Sequence, residues 1–482
     1  MLFNSTDFLI FLPIVFILYW FVFNKSLKAQ NILLLISSYY FYSCWDWRFL
    51  FLLAFSTVLD FYSGLAIFRS STIKQRKFWL LLSVIINLGF LGFFKYYNFF
   101  AESFAQFLGA LGLEAHPATL SIILPVGISF YTFHGLSYVF DIYNRKIEPT
   151  TNFVQYSLFV SFFPLLVAGP IERATHLLPQ VEKPRKFNYA MATDGLRQML
   201  WGFVKKVVIA DNCAEYANLI FNNSAEYSGS TLVLGALFFT FQIYGDFSGY
   251  TDIAIGTAKL LGINLLRNFA FPYFSRDIAE FWRRWHISLS SWFRDYLYIP
   301  LGGSKGGNWM RIRNTFIIFL VSGFWHGANW TFIFWGGLNA LFMVPLVWFK
   351  TNRKNIETVA QGRLLPNITE LLQMALTFGL TVFAWIFFRA ESLRHAFQYV
   401  GDIFSNNLLS RPEVLSYSML ITIGLITTFI IVEWMGREDK YAIEKIGILW
   451  PRPLRWSFYA LIILTIGLYM HTEETPFIYF QF

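Results

Sequence analysis

The chain has 482 residues, of which 56% are hydrophobic and only 14% charged. Soluble domains carry about 25% charged residues, and here the apolar excess runs through nearly the whole length, so a soluble enzyme with a single anchor is excluded. The net charge of +9 comes from Lys and Arg placed in short stretches between apolar runs, a pattern of membrane topology rather than of nucleic-acid binding.

A membrane span needs roughly 20 apolar residues. Taken in chain order, the candidates are Phe8–Phe23, Asn31–Trp45, Phe49–Phe68, Phe78–Phe94, Leu120–Tyr143, Phe153–Ala168, Thr231–Leu261, Thr315–Phe349, Leu371–Phe388, Leu415–Trp434 and Trp456–Met470. Several are too long or too short for simple rods, so about 10 to 12 crossings with interfacial or re-entrant pieces are expected. The first Lys is Lys25, beyond the first run, which predicts a retained span rather than a cleaved signal peptide. Lys25 and Lys28 follow the first run, Arg69, Lys74, Arg76 and Lys77 the third, and Arg145 and Lys146 the fifth. All three groups fall on one side if the N-terminus is outside, which predicts a periplasmic N-terminus and cytoplasmic basic loops. The stretch Ala101–Pro117 lacks Lys and Arg and is then predicted as an outward loop, while Arg437–Arg455 reads as cytoplasmic. No repeat, low-complexity tract or long polar linker interrupts the chain, so one integral-membrane domain over residues 1–482 is expected. Cys44 and Cys213 provide neither a disulfide framework nor a metal cluster.

Three stretches put polar chemistry into apolar surroundings. The first, Gln242–Asp252, carries two carboxylates, Asp246 and Asp252, inside a predicted span. A carboxylate at a helix centre in a bilayer costs on the order of 3 kcal/mol, so each needs a partner, an arginine or a histidine. A buried network that holds helices together and a catalytic role both fit. Asp60, Lys95, Arg389 and Glu433 punctuate other spans and read as structural pairs or cavity lining.

The second, Arg276–Gly303, is crowded with Arg and Trp. On a continuous helix, Phe281, Trp282, Trp285, Leu289, Trp292, Phe293 and Tyr296 fall in one arc of roughly 120°. Arg283, Arg284, Ser290, Ser291, Arg294 and Asp295 lie outside that arc, and His286 sits at its edge. Such a helix lies in the membrane interface, either as an anchor whose arginines meet lipid phosphates or as the floor of a cavity. In the second case Arg283, Arg284 and His286 turn towards an anionic ligand. The Gly-rich run after Pro300 is a flexible turn whose amides could accept phosphate.

The third, Thr315–Gly337, contains His326. It lies 13 residues beyond Arg313, about 20 Å at helical rise and past the midplane of a hydrocarbon core of about 30 Å. Gly323 and Gly327 make a G-x-x-x-G that lets helices approach closely, and a packing histidine hydrogen-bonded across that contact is one reading. The other is a desolvated, neutral imidazole able to take a proton from an attacking hydroxyl, in a pocket shaped by Trp325, Asn329 and Trp330.

These stretches resemble the membrane-bound O-acyltransferase family, and its bacterial alginate O-acetyltransferase-like branch in particular. The resemblance rests on YGDFSGYTDIAIG (Tyr244–Gly256), FPYFSRDIAEFWRRWHISLSSWFRDYLYIPLGG (Phe271–Gly303) and VSGFWHGANWTFIFWGG (Val321–Gly337). It extends through PVGISFYTFHGLSYVFDIYN (Pro125–Asn144), FVSFFPLLVAGPIER (Phe159–Arg173), GFVKKVVIADN (Gly202–Asn212) and FAWIFFRAES (Phe383–Ser392). It covers nearly the whole chain in the expected order. It implies an all-α polytopic fold, a ring of membrane helices around a two-sided funnel. It maps the family's essential histidine onto His326 and its second characteristic histidine onto His286. It further implies a place in the bacterial inner membrane, no tightly bound cofactor, a cytoplasmic acyl donor such as acetyl-CoA, and a periplasmic SGNH-type partner that passes acetyl to a polysaccharide. In that frame Arg283, Arg284 and Trp285 orient the donor, Trp325 and Asn329 shape the pocket, and Asp246 or Asp252 orients a histidine. Transfer of D-alanine to a cell-wall polymer, and a transporter or flippase with a proton relay, are the competing readings.

Overall fold

Backbone N–H and C=O groups inside hydrocarbon need partners from their own segment, and this chain meets that demand with helices. The structure, a computed structural model, describes residues 1–113, 116–117, 119–405, 408–470 and 477–478, and among these no strand occurs. Six helices among the described residues are long and apolar enough to cross a membrane, with the shorter apolar Thr6–Val22 besides. Backbone contacts divide the chain into two compact units, Met1–Ala192 with Ala258–Leu266, and Thr193–Thr257 with Arg267–Phe482.

The first unit contains α1 (Phe49–Arg69) and α2 (Ile73–Ala110), followed by α3 (Ile128–Tyr143). α2 passes through a π-helical segment, Gly92–Tyr96, and continues to Ala110. The first half of the predicted outward loop is therefore helix, because Phe100, Phe104 and Phe107 keep helical spacing and no proline interrupts them. Residues 114 and 115 of that loop lie outside the described residues. Asp60 of α1 is buried and accepts hydrogen bonds from Ser83 Oγ (2.6 Å) and Asn87 Nδ2 (2.8 Å) of α2. Gly135 of α3 leaves room for it, since a Cβ there would stand 2.0 Å from Asp60 Oδ2. That carboxyl is a helix-joining group, as the sequence suggested.

Two predicted spans of this unit are broken. Leu120–Tyr143 becomes helical only at Ile128, after Pro125 and a left-handed Gly127 (φ +75°) whose Cβ would stand 2.3 Å from the Leu166 carbonyl oxygen. Phe153–Ala168 splits at Phe162 into Phe153–Ser161 and Phe163–Leu166, because Pro164 has no N–H to offer the preceding turn.

The second unit holds most of α4 (Gly229–Leu260), then α5 (Ile278–Arg284), α6 (Ile287–Phe293), α7 (Asn308–His326), α8 (Trp330–Trp348), α9 (Ile368–Arg389) and α10 (Tyr417–Met435). The apolar window of α4 is 83% buried inside the protein, so its polar residues face protein rather than lipid. The long run Thr315–Phe349 is a helical hairpin, not a single span. α7 ends at His326, Gly327 takes extended backbone, and Asn329 caps α8 by accepting from the Thr331 N–H at 3.0 Å. The Gly-rich turn before α7 is fixed rather than flexible: Asn314 Nδ2 donates to the carbonyls of Gly303 (3.0 Å) and Leu301 (3.3 Å).

Glycines hold the hairpin closed. A Cβ on Gly323 would stand 2.2 Å from the Phe332 carbonyl oxygen, and one on Gly336 2.2 Å from that of Phe319. Neither backbone atom can rotate away. Gly323→Ala and Gly336→Ala are each expected to cost at least the roughly 1–3 kcal/mol of an overpacked core. Gly337→Ala, whose nearest new neighbour is Leu320 at 3.8 Å, is expected to be silent. Thermal unfolding of the three variants in detergent checks the contrast.

Candidate active site

Glycines also set up the polar cluster of α4. A Cβ on Gly245 would sit 2.8 Å from the Lys205 carbonyl oxygen, and one on Gly249 2.8 Å from that of Gly202. α4 therefore lies backbone to backbone against the π-helical segment Val204–Ala210. That contact delivers two lysines to the two aspartates. Lys205 Nζ stands 2.5 Å from Asp252, and Lys206 Nζ stands 2.8 Å from Asp246 and 2.9 Å from Asp211. Gln198 donates to Asp252 at 2.7 Å, and the Ile478 N–H to Asp246 at 2.6 Å. The sequence expectation of an arginine or histidine partner is thus corrected to lysine. Two adjacent lysines in the apolar run Gly202–Ile209 were the available signal. Asp246 bears on the site through its neighbour: the Phe247 ring stands edge-on to the His286 ring at 4.7 Å.

His286 interrupts the helix that periodicity predicts over Phe281–Tyr296. Trp285 is extended, and His286 adopts φ +44°, a left-handed conformation that strains a residue with a Cβ. Asn268 holds the break from outside the segment. Its carbonyl oxygen accepts from the Ile287 N–H (2.9 Å), and its Oδ1 accepts from the Ser288 N–H (3.2 Å) and Ser288 Oγ (2.6 Å). His286 Nδ1 lies 3.3 Å from the same Oδ1. A backbone N–H only donates, so that Asn268 atom is the amide oxygen and His286 Nδ1 carries the proton. Nε2 is left as a bare acceptor, buried and without a hydrogen-bond partner among the described residues. Burial pushes the imidazole down to about 3, so it stays neutral.

A stability consequence follows. The unfolded imidazole takes a proton near pH 6.5, whereas the folded one resists it down to about 3. The contribution is complete above pH 6.5 and is lost as the pH falls towards 3. His286→Gln is expected to flatten this part of the curve of melting temperature against pH, and an unchanged acid limb would exclude the burial of a neutral His286.

His326 is the last residue of α7 and is only 4% exposed. α7 is unbroken from Arg313 onward, so His326 lies about 20 Å along the helix from that arginine. The imidazole stands nearly edge-on to Trp325 (4.8 Å), Trp335 (5.1 Å) and Phe388 (5.3 Å). Trp325 also lies 6.0 Å from the His286 ring, so the two histidines touch one indole.

An aromatic layer joins the two histidine segments. Trp285 packs on Trp385 at 5.1 Å, Trp385 stacks on Trp335 at 5.6 Å, and Trp335 meets His326. Trp335, Trp385 and Phe388 are site residues that sequence reasoning left unassigned, although they lie in the motifs quoted above. Tyr273, stacked on Trp285 at 6.0 Å, lines an apolar cavity of about 320 Å3 that Glu433 also lines. Glu433 accepts from Trp201 Nε1 (3.1 Å) and the Tyr244 hydroxyl (2.6 Å), a structural pairing of the kind expected for it.

Other sequence-selected residues are placed differently. Arg283 donates to the carbonyls of Asn352 (2.7 Å) and Asn355 (2.6 Å). Arg284 pairs with Glu280 at 2.9 Å and donates to the Glu357 carbonyl at 3.1 Å. Both arginines, expected to face an anionic donor, instead fasten the loop 352–357 to α5. Trp285 is fully buried in the aromatic layer, Asn329 serves as a helix cap with Nδ2 on the Glu391 carbonyl (2.9 Å), and Trp330 is exposed.

The model of the membrane-bound O-acyltransferase family matches residues 144–386. The chain is 37% identical to a probable alginate O-acetylase of Pseudomonas putida over 100% of both chains. It is 36% identical to a peptidoglycan O-acetyltransferase of Helicobacter pylori over 85% of this chain and 81% of that one. A teichoic acid D-alanyltransferase of Bacillus subtilis is 27% identical over 58% of this chain and 73% of its own length.

Proposed function

We propose, from the premise that this chain belongs to the membrane-bound O-acyltransferase family, that it moves an acetyl group from a cytoplasmic donor to a polysaccharide on the far side of the membrane. As a family member it is a polytopic O-acyltransferase. The acetyl group and the polysaccharide acceptor are supported by the similarity to alginate and peptidoglycan O-acetyltransferases along most of the chain. Acetyl-CoA as substrate, a periplasmic SGNH-type partner, the bacterial inner membrane and a periplasmic N-terminus complete the reading. The basic loops support that orientation.

The observation that carries the reading is the pair of buried histidines on Trp325. In our reading His326 takes the proton from the attacking hydroxyl as its oxygen bonds to the acetyl carbon. The carbon–sulfur bond of the donor breaks, and the proton passes on to the departing thiolate, so the imidazole is regenerated. His286 has a bare Nε2 and a protonated Nδ1 turned to Asn268. It accepts a hydrogen bond from an N–H or O–H of the reactants and so orients them. The aromatic layer excludes water, which would otherwise hydrolyse the acyl group. Lys205, Lys206 and their aspartates position Phe247 and the His286 segment.

The test is a donor comparison in membranes containing the protein. Labelled acetyl-CoA is expected to label polysaccharide, and a D-alanyl carrier protein is not. Labelling by the D-alanyl donor alone would move the assignment to aminoacyl transfer, the reading that the similarity to teichoic acid D-alanyltransferases favours.

A further inference from the structure

A basic cavity of the first unit is used by none of the chemistry above. It encloses about 550 Å3 where α1 ends, α2 begins and the chain leaves α3. Arg76, Arg145 and Lys146 line it, together with one acidic residue, Glu148. Arg76 is fixed in place: its guanidinium donates to the Tyr143 carbonyl at 2.5 Å and lies 5.3 Å over the Tyr143 ring. Lys146 is drawn to Asp141 at 3.1 Å. Arg145 is exposed, held at φ +57°, with no carboxylate at ion-pair distance among the described residues. The adjoining segment Arg69–Lys77 adds Arg69, Lys74 and Lys77 and has no acidic residue.

The level of the cavity narrows what fills it. α1 and α2 are both long and apolar enough to cross a membrane. At their ends Phe68, Ile73 and Phe78 are exposed by 54%, 75% and 59%. Large exposed apolar side chains beside a cationic cavity mark the boundary between hydrocarbon and water. A ligand with a phosphate at that height and acyl chains below satisfies both surfaces, and basic pockets between membrane helices recognise lipid headgroups in this way. A free phosphate meets the cations equally but leaves Phe68, Ile73 and Phe78 without partners.

We propose that this cavity binds the phosphate-bearing headgroup of an anionic phospholipid. The test uses the full chain in phosphatidylcholine nanodiscs doped with phosphatidylglycerol, with retained lipid read by native mass spectrometry. Wild-type protein is expected to retain phosphatidylglycerol selectively. Arg145→Gln, which alters an exposed side chain and leaves the fold alone, is expected to weaken retention about fivefold, the effect of one cation at a membrane surface. Arg76→Gln is expected to weaken it at least as much, and its melting temperature shows whether it folds. A second arm adds millimolar inorganic phosphate without the anionic lipid. If phosphate raises the melting temperature of wild type but not of Arg145→Gln, while the two lipids are retained equally, the ligand is a free phosphate and the lipid assignment is overturned. Equal retention of both lipids by wild type and variant, with no response to phosphate, overturns the site itself.

Discussion

Replacing His326 by Ala is expected to lower O-acetylation by about 10²–10⁴-fold, the range for loss of a positioned general base. The side chain reaches no outer surface, being 4% exposed and walled by Trp325, Trp335 and Phe388, so the loss reflects chemistry rather than docking. Truncation also leaves a small apolar void, so His326→Gln is the companion variant: it keeps volume and a hydrogen-bonding end but cannot cycle a proton. Both variants are expected to insert and melt much as wild type does, while the O-acetyl content of surface polysaccharide collapses. Retained acetylation in a well-inserted His326→Gln protein would remove the base assignment. Reduced acetylation that tracks reduced protein level would mark His326 as a packing residue instead.

Lys206→Met is expected to be the most destabilising single change in the α4 cluster. Its ammonium is shared by Asp246 and Asp211, at 2.8 and 2.9 Å, with side chains only 4% and 6% exposed. Removing one member of a buried ion pair strands the other charge, at a cost of roughly 3–5 kcal/mol. Adding Asp246→Asn to Lys206→Met is expected to restore part of the loss, because an amide needs no counter-charge. The damage spreads to the site, since Asp246 also receives the Ile478 N–H and its neighbour Phe247 packs on His286. Unfolding curves in detergent for the single and double variants decide it. A Lys206→Met protein as stable as wild type would show that the carboxylates do not need this cation.

Much of the molecule is legible in its sequence. Composition gives the membrane class, and a histidine in an apolar run draws attention to His326. The runs that became α1, α4, α9 and α10 agree closely with the helices, because hydropathy acts on each residue locally. What escaped the sequence depends on contacts distant along the chain. Periodicity carries a helix through His286, but Asn268 breaks it there from 18 residues away. The hydropathy of Thr315–Phe349 is continuous, yet Gly327 and the Asn329 cap turn it into a hairpin that leaves His326 at a helix end. Arg283 and Arg284 carry charge that suits a phosphate, and only the fold shows that Arg283 donates to loop carbonyls and Arg284 to Glu280 and the Glu357 carbonyl. Lys205 and Lys206 were visible as residues, but pairing them with Asp252 and Asp246 requires the glycine-mediated approach of α4.

The central claim, acyl transfer through the membrane by way of His326, is tested most directly in inverted membrane vesicles that expose the cytoplasmic face. Acetyl-CoA carrying separate labels on its acetyl and adenine groups is supplied outside, and polysaccharide is recovered from the lumen. The account predicts that the acetyl label reaches lumenal polysaccharide, that the adenine label stays outside, and that vesicles with His326→Ala transfer neither. Entry of both labels together, or equal acetyl transfer by the His326→Ala vesicles, would contradict it.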